Sequence, residues 1–147
     1  MDRQTDERAV LAVAQKKLTI TLVGARKAIA AAQQVAAESG WHISVAVVDR
    51  AGELVALERC DTAIGISPNV ALGKARTAAL LEAPSKAFET FINGGQPSFL
   101  ATPGVTPLEG GVPVLLDGVV IGAVGVSGAH GANDSLVAET AAAAVSA

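Results

Sequence analysis

Apolar and polar positions alternate along this chain in two periods, and the switches between the periods mark out its elements. From Thr19 or Thr21 to Ser39, the apolar residues Leu22, Ala25, Ile29, Ala32 and Ala36 recur at helical spacing. A threonine there can accept a first-turn N–H, and Gly40 supplies the C-terminal stop. Over residues 42–49 the pattern becomes β-branched and apolar. Asp49-Arg50-Ala51-Gly52 then makes a compact turn and residues 53–60 return, which predicts a β-hairpin. Ser67-Pro68 places a capping residue before a first-turn proline, opening a helix that runs to Ala83, where Pro84 breaks it. A short helix over 85–92 follows. Residues 112–116 and 119–127, joined at Asp117-Gly118, predict a second hairpin. A last helix covers 132–145, with Asp134 near its positive end. Residues 93–111 are rich in Gly, Pro, Ser and Thr and read as a long structured loop, of a length that is usually functional or disordered. A short leading helix over 6–16, capped by Asp6, completes the pattern.

The order is helix, hairpin, helices, loop, hairpin, helix. It predicts an α+β fold in which an antiparallel sheet of two hairpins is covered by helices. No strand leads through G-x-G-x-x-G into a helix, so a dinucleotide-binding unit has no support. The 147 residues suit one domain, read as 18–147 behind an N-terminal extension over 1–17.

Composition adds an expectation of assembly. Half the chain is hydrophobic but only 3% is aromatic, so its apolar mass is Ala, Val, Leu and Ile. Such side chains bury little area each, at roughly 25 cal/mol per Å². With a mean hydropathy of +0.44 and few charges to cover the outside, the chain reads as a subunit of a homo-oligomer. A net charge of −3, without any basic stripe, argues against nucleic acid as a partner. One cysteine, Cys60, rules out an internal disulfide framework. With neither a signal-peptide pattern nor an apolar run of the ~20 residues a membrane span needs, the expected location is the cytoplasm, with no membrane partner.

Candidate chemistry lies at four places. Lys74 sits at the edge of the stripe formed by Ala71, Ala75 and Ala78, where it either snorkels to water or meets an anion. Gly110 and Gly111, directly before a strand, either serve a tight turn or offer backbone N–H groups to a carboxylate, with Glu109 beside them able to move a proton. Glycines on the strand 122–128 signal close approach by a helix or a ligand, ahead of His130. Arg59 and Asp61 form a plain ion pair or one wall of a pocket. The two histidines, His42 and His130, have no metal-ligand spacing and Cys60 has no partner cysteine, so no metal site is expected. Haem iron needs only one axial histidine, which keeps either in play. Ser67, Ser98 and Ser127 occupy no G-x-S-x-G elbow.

Taken together, several segments resemble the GlcG/HbpS-like family. They are Val47-Val48-Asp49-Arg50-Ala51-Gly52, Lys74-Ala75-Arg76-Thr77-Ala78, Gly110-Gly111-Val112-Pro113-Val114, Gly122-Ala123-Val124-Gly125-Val126-Ser127-Gly128, and Asp134. They occur in the family's order from about Leu18 to the C-terminus. The resemblance implies a profilin-like sandwich that assembles into a homo-oligomer. It also implies an association with haem binding or degradation, with corrinoid-related enzymes as a fused domain, or with small-acid catabolic operons. Two functions follow as expectations. The first is binding of haem, a related tetrapyrrole or a small anionic molecule at a pocket shared between subunits. The second is a cofactor-independent enzyme working on a small carboxylate by proton transfer. Lys74 and Glu109 are the candidate catalytic residues; Arg59, Thr77, Gly110, Gly111, Ser127 and His130 are the candidate ligand contacts. A third expectation is a purely structural partner subunit.

Overall fold

Thr21 opens the first long helix, α1 (Leu22–Ser39), by accepting the Gly24 N–H on its hydroxyl at 3.2 Å. Gly40 ends α1 in the left-handed conformation, returning its N–H to the carbonyls of Ala36 and Ala37. The computed structural model describes residues 8–10 and 12–146. Residues 8–10 and 12–13 are helical and residues 14–16 are not, so helix stops short of the expected Lys16, while the expected cap, Asp6, lies outside the described residues.

The first hairpin is β1 (Ser44–Asp49) with β2 (Leu54–Arg59). Its turn is built by Asp49, whose Oδ1 accepts the N–H groups of Ala51 at 2.9 Å and Glu53 at 3.0 Å. Arg50 staples this turn to the rest of the sheet by donating to the Val120 carbonyl and pairing with Glu82. The second hairpin is β3 (Gly111–Leu116) with β4 (Val119–Ser127), and its Asp117-Gly118 turn has positive φ at both residues. The hairpins join side by side through β1 and β4, giving one antiparallel sheet of order β2-β1-β4-β3. The α+β class expected from the element order is therefore the one observed.

Three further helices complete the chain: α2 (Ser67–Leu81), α3 (Lys86–Asn93) and α4 (Gly131–Val145). On one face of the sheet α1 and α4 pack against Val45, Val47, Val124 and Val126; on the other, α2 packs against Ala46, Val48 and Ala123. Alternation along β1 and β4 sends successive side chains to opposite faces. The α2 face is lined by alanine, through Ala71, Ala75, Ala78 and Ala79, so the helix backbone lies directly on the sheet. No helix among the described residues is long and apolar enough to cross a membrane.

Two local expectations are corrected. Ser67 is the first residue of α2, not its cap; Ile66 holds the cap position without a side-chain hydrogen bond. Ser67 is fully buried, so its hydroxyl must find partners inside: it donates to the Ile64 carbonyl at 2.7 Å and shares a 2.8 Å hydrogen bond with Ser44. The expected long loop contains a 3-10 turn (Pro97–Ala101) and is then strapped down. Thr106 donates its N–H to Thr77 Oγ1 at 2.9 Å, and Ser85 Oγ donates to the Leu108 carbonyl at 2.7 Å.

Candidate functional site

Beyond the end of β4 the chain makes a glycine-rich turn, Ser127-Gly128-Ala129-His130, before entering α4. That turn, the side of α2, the first turn of α3 and the strapped loop line a cavity of about 230 Å³. Its floor holds Lys74 and Asp134. Its walls carry Glu89, Glu109, Ser127 and His130, with Ile64, Val70 and Leu108 as the apolar part.

Lys74 is almost wholly buried, 3% exposed, and the anion it meets is the chain's own Asp134. Lys74 Nζ donates to Asp134 Oδ2 at 3.0 Å and to the Val126 carbonyl at 2.9 Å, using two of its three donors. Asp134, in the first turn of α4, accepts the Ala129 N–H on Oδ1 at 2.9 Å, so both its oxygens are engaged. One pair thereby clasps α2, the end of β4 and the start of α4. The alanine stripe places the Lys74 backbone close to the sheet, and its long stem reaches across to the far helix.

The paired glycines make this approach possible. A Cβ on Gly110, where φ is +126°, would lie 2.8 Å from Lys74 Nζ and 2.9 Å from Asp134 Cβ. A Cβ on Gly111 would overlap the Lys74 carbonyl oxygen. The Gly111 N–H donates to Ser85 Oγ at 2.9 Å, and the Gly110 carbonyl accepts from Val126 N at 2.9 Å. Both glycines lie beneath the cavity and do not line it.

Glu109 stands half-buried in the wall. Its Oε2 accepts a short hydrogen bond of 2.6 Å from Ser135 Oγ, and its N–H donates to Glu89 Oε2 at 3.2 Å. His130 is exposed at the rim, with a positive φ of 73° that a non-glycine residue seldom adopts. Ser127, buried at the end of β4, completes that side.

Of the residues singled out in the sequence, the cavity gathers Lys74, Glu109, Ser127 and His130. Thr77 lies elsewhere on α2, donating to the Gly73 carbonyl and accepting from Thr106. Arg59 is exposed at the end of the edge strand β2, and no ion pair joins it to Asp61. The sequence reading missed Glu89 and the apolar trio, and took Asp134 as a charge at a helix end and part of the family resemblance, not as the partner of Lys74. Glu89 carries no periodic signal, and the partner of Lys74 lies sixty residues away.

His42 stands outside this cavity, with its Nδ1 2.6 Å from Thr62 Oγ1 and 3.9 Å from Cys60 Sγ. Hydrogen bonds from the Thr62 side chain and backbone, then from His42, lower the Cys60 thiol to about 7. Alkylation of Cys60 by iodoacetamide is therefore expected to reach half its maximal rate near pH 7, and Thr62→Val should move that midpoint upward. A midpoint near that of a free thiol in the unsubstituted protein would contradict it. Among the described residues no group of three or more His, Cys, Asp or Glu is placed to hold a metal ion.

Comparison with known proteins fits this architecture. The family described as "Haem degrading protein HbpS-like" matches residues 20–143. Protein GlcG of Escherichia coli K12 is 48% identical over 99 residues, 67% of this chain and 74% of GlcG. The crystal structure of Klebsiella pneumoniae protein ORFY superposes with a TM-score of 0.87 at 32% identity, covering 92% of this chain and 96% of that one. A double mutant of Streptomyces reticuli HbpS gives a TM-score of 0.79 at 35% identity, covering 88% of each chain.

Proposed function

The chain belongs to the HbpS-like family, and from that premise we propose that it binds haem or a related tetrapyrrole at a pocket that two subunits share. The observation that carries this reading is a cavity of about 230 Å³ with an imidazole at its rim and an apolar wall left open. Pockets that enclose a drug-sized ligand measure ~300–1,000 Å³, so the walls of one protomer can cover only part of a tetrapyrrole. At the same mouth Ile64 is 63% exposed and Leu108 44%, apolar surface that a second copy would cover.

The donor set suits the group. His130 offers the one imidazole that haem iron requires, Ile64, Val70 and Leu108 suit a porphyrin face, and the third donor of Lys74 remains for an acceptor at the floor. Bound haem would supply the redox chemistry of its iron. The chain's own part is to orient and shield it: the Lys74–Asp134 clasp fixes the start of α4, and with it the backbone that carries His130. A second reading, acid–base work on a small carboxylate, draws on Glu109, whose 2.6 Å bond from Ser135 holds a carboxylate in the same cavity as Lys74.

Titration of the full chain with ferric haem is expected to produce a shifted Soret band. His130→Ala should remove or displace that band, and His42→Ala should leave it unchanged. Light scattering on the same sample should give a mass above that of one chain. A wild-type spectrum equal to that of free haem, with calorimetric binding of a small carboxylate, would replace the first reading by the second.

A further inference from the structure

The cavity is acidic: Glu89, Glu109 and Asp134 line it with Lys74. Among the described lining residues Lys74 is the only Lys or Arg, and its charge is already met by Asp134 at 3.0 Å. That leaves Glu89 and Glu109 as two carboxylates without a cation in the wall. Each keeps an oxygen beyond its known bonds: Oε2 of Glu109 takes the Ser135 hydroxyl and Oε2 of Glu89 takes the Glu109 N–H. The other oxygen of Glu109 faces the first residue of α4, since a Cβ built on Gly131 would stand 3.6 Å from Glu109 Oε1. The imidazole at the rim and these two carboxylates thus line one cavity.

We infer that this pocket holds ferric haem more tightly than ferrous haem, with Glu89 and Glu109 setting the preference. The inference rests on the haem reading above. Adding one electron converts Fe(III) to Fe(II) and takes the iron–porphyrin core from singly positive to neutral. Fixed negative charge in a partly enclosed wall attracts the first state and is indifferent to the second. Glu89 and Glu109 act here through the field they create. They are positioning residues for charge, not iron ligands.

The test uses the full chain loaded with haem, reduced stepwise by dithionite in the presence of redox dyes and followed by its Soret band. Glu89→Gln and Glu109→Gln keep the shape of each side chain and its ability to accept the Glu109 N–H or the Ser135 hydroxyl. Each is expected to reduce the ferric-over-ferrous preference about tenfold, a rise of about 59 mV in the one-electron potential. Glu53→Gln, an exposed carboxylate in the β1–β2 turn, serves as the control and should not move it. Potentials equal to wild type in both cavity variants, with a normal Soret band, would overturn the inference and leave the haem reading standing. An equal shift in Glu53→Gln would overturn it too, by showing an effect of net charge alone. Absence of any Soret shift in the wild type would overturn the haem reading and this inference with it.

Discussion

Replacing Asp134 by alanine is expected to lower the unfolding free energy by about 3–5 kcal/mol, the usual cost of stranding one member of a buried ion pair. The change leaves the Lys74 ammonium, 3% exposed, with only the Val126 carbonyl as a partner. It also removes the acceptor of the Ala129 N–H. Two desolvated donors each lose a bond at once, and the ammonium is left at the floor of the cavity with a single protein acceptor. The double variant Lys74→Met/Asp134→Asn makes the sharper comparison. It takes both charges out together and keeps an oxygen to accept from Ala129, so it should recover most of the loss. Urea unfolding of wild type, Lys74→Met, Asp134→Asn and the double variant supplies the cycle, with Asp134→Ala measured beside it. An Asp134→Ala protein within about 1 kcal/mol of wild type would show that the clasp contributes little. Because the clasp also fixes the start of α4, His130 should be displaced in the single variant, and haem titration should reveal it as a weakened Soret shift.

Adding one methyl group at Gly125 is expected to be worse. Gly125 lies on β4 beneath α2, and a Cβ there would overlap the Ala71 carbonyl oxygen and fall 2.6 Å from the Ala75 nitrogen. Both atoms are backbone in the middle of a helix, and neither can turn aside as the end of a side chain can. The helix must lift from the sheet, and the alanine contacts with Ala46, Val48 and Ala123 open with it. Overpacking a close core costs about 1–3 kcal/mol when side chains can yield, so Gly125→Ala should exceed that range and leave little folded protein. Gly65→Ala is the control: nothing lies within 4 Å of its added Cβ, and it should stay within about 0.5 kcal/mol of wild type. Circular dichroism and urea unfolding of the two variants decide the matter. A Gly125→Ala protein as stable as Gly65→Ala would mean that α2 is not held on the sheet as closely as described.

The same contrast between local and distant neighbours separates what could be read along the chain from what could not. Helix α1 was legible because its signals lie within a few residues of one another: the Thr21 cap, apolar positions at helical spacing, and Gly40 in the left-handed region. Both hairpins were legible for the same reason, since Asp49 builds its turn with groups two and four residues on, and Asp117-Gly118 supplies two positive φ angles. Glycine on β4 announced a close approach without naming its source; the helix backbone at Ala71 is that source for Gly125. The order of elements brought the α+β class into view, the alanine stripe brought Lys74, and the ordered motifs added the resemblance to a family. Tertiary structure decided the rest. Nothing in either hairpin states that β1 will lie against β4, with Ser44 opposite Ser127, because that pairing depends on burying both faces of the joined sheet at once. Nor does the environment of Lys74 along the chain disclose whether its charge is free. That is settled by Asp134 on another helix, by the absence of a side chain at Gly110, and by the carbonyl of Val126. Turns and caps are closed by groups only a few bonds apart, so local sequence determines them, whereas a buried charge takes whichever partner the packing of distant elements brings within 3 Å.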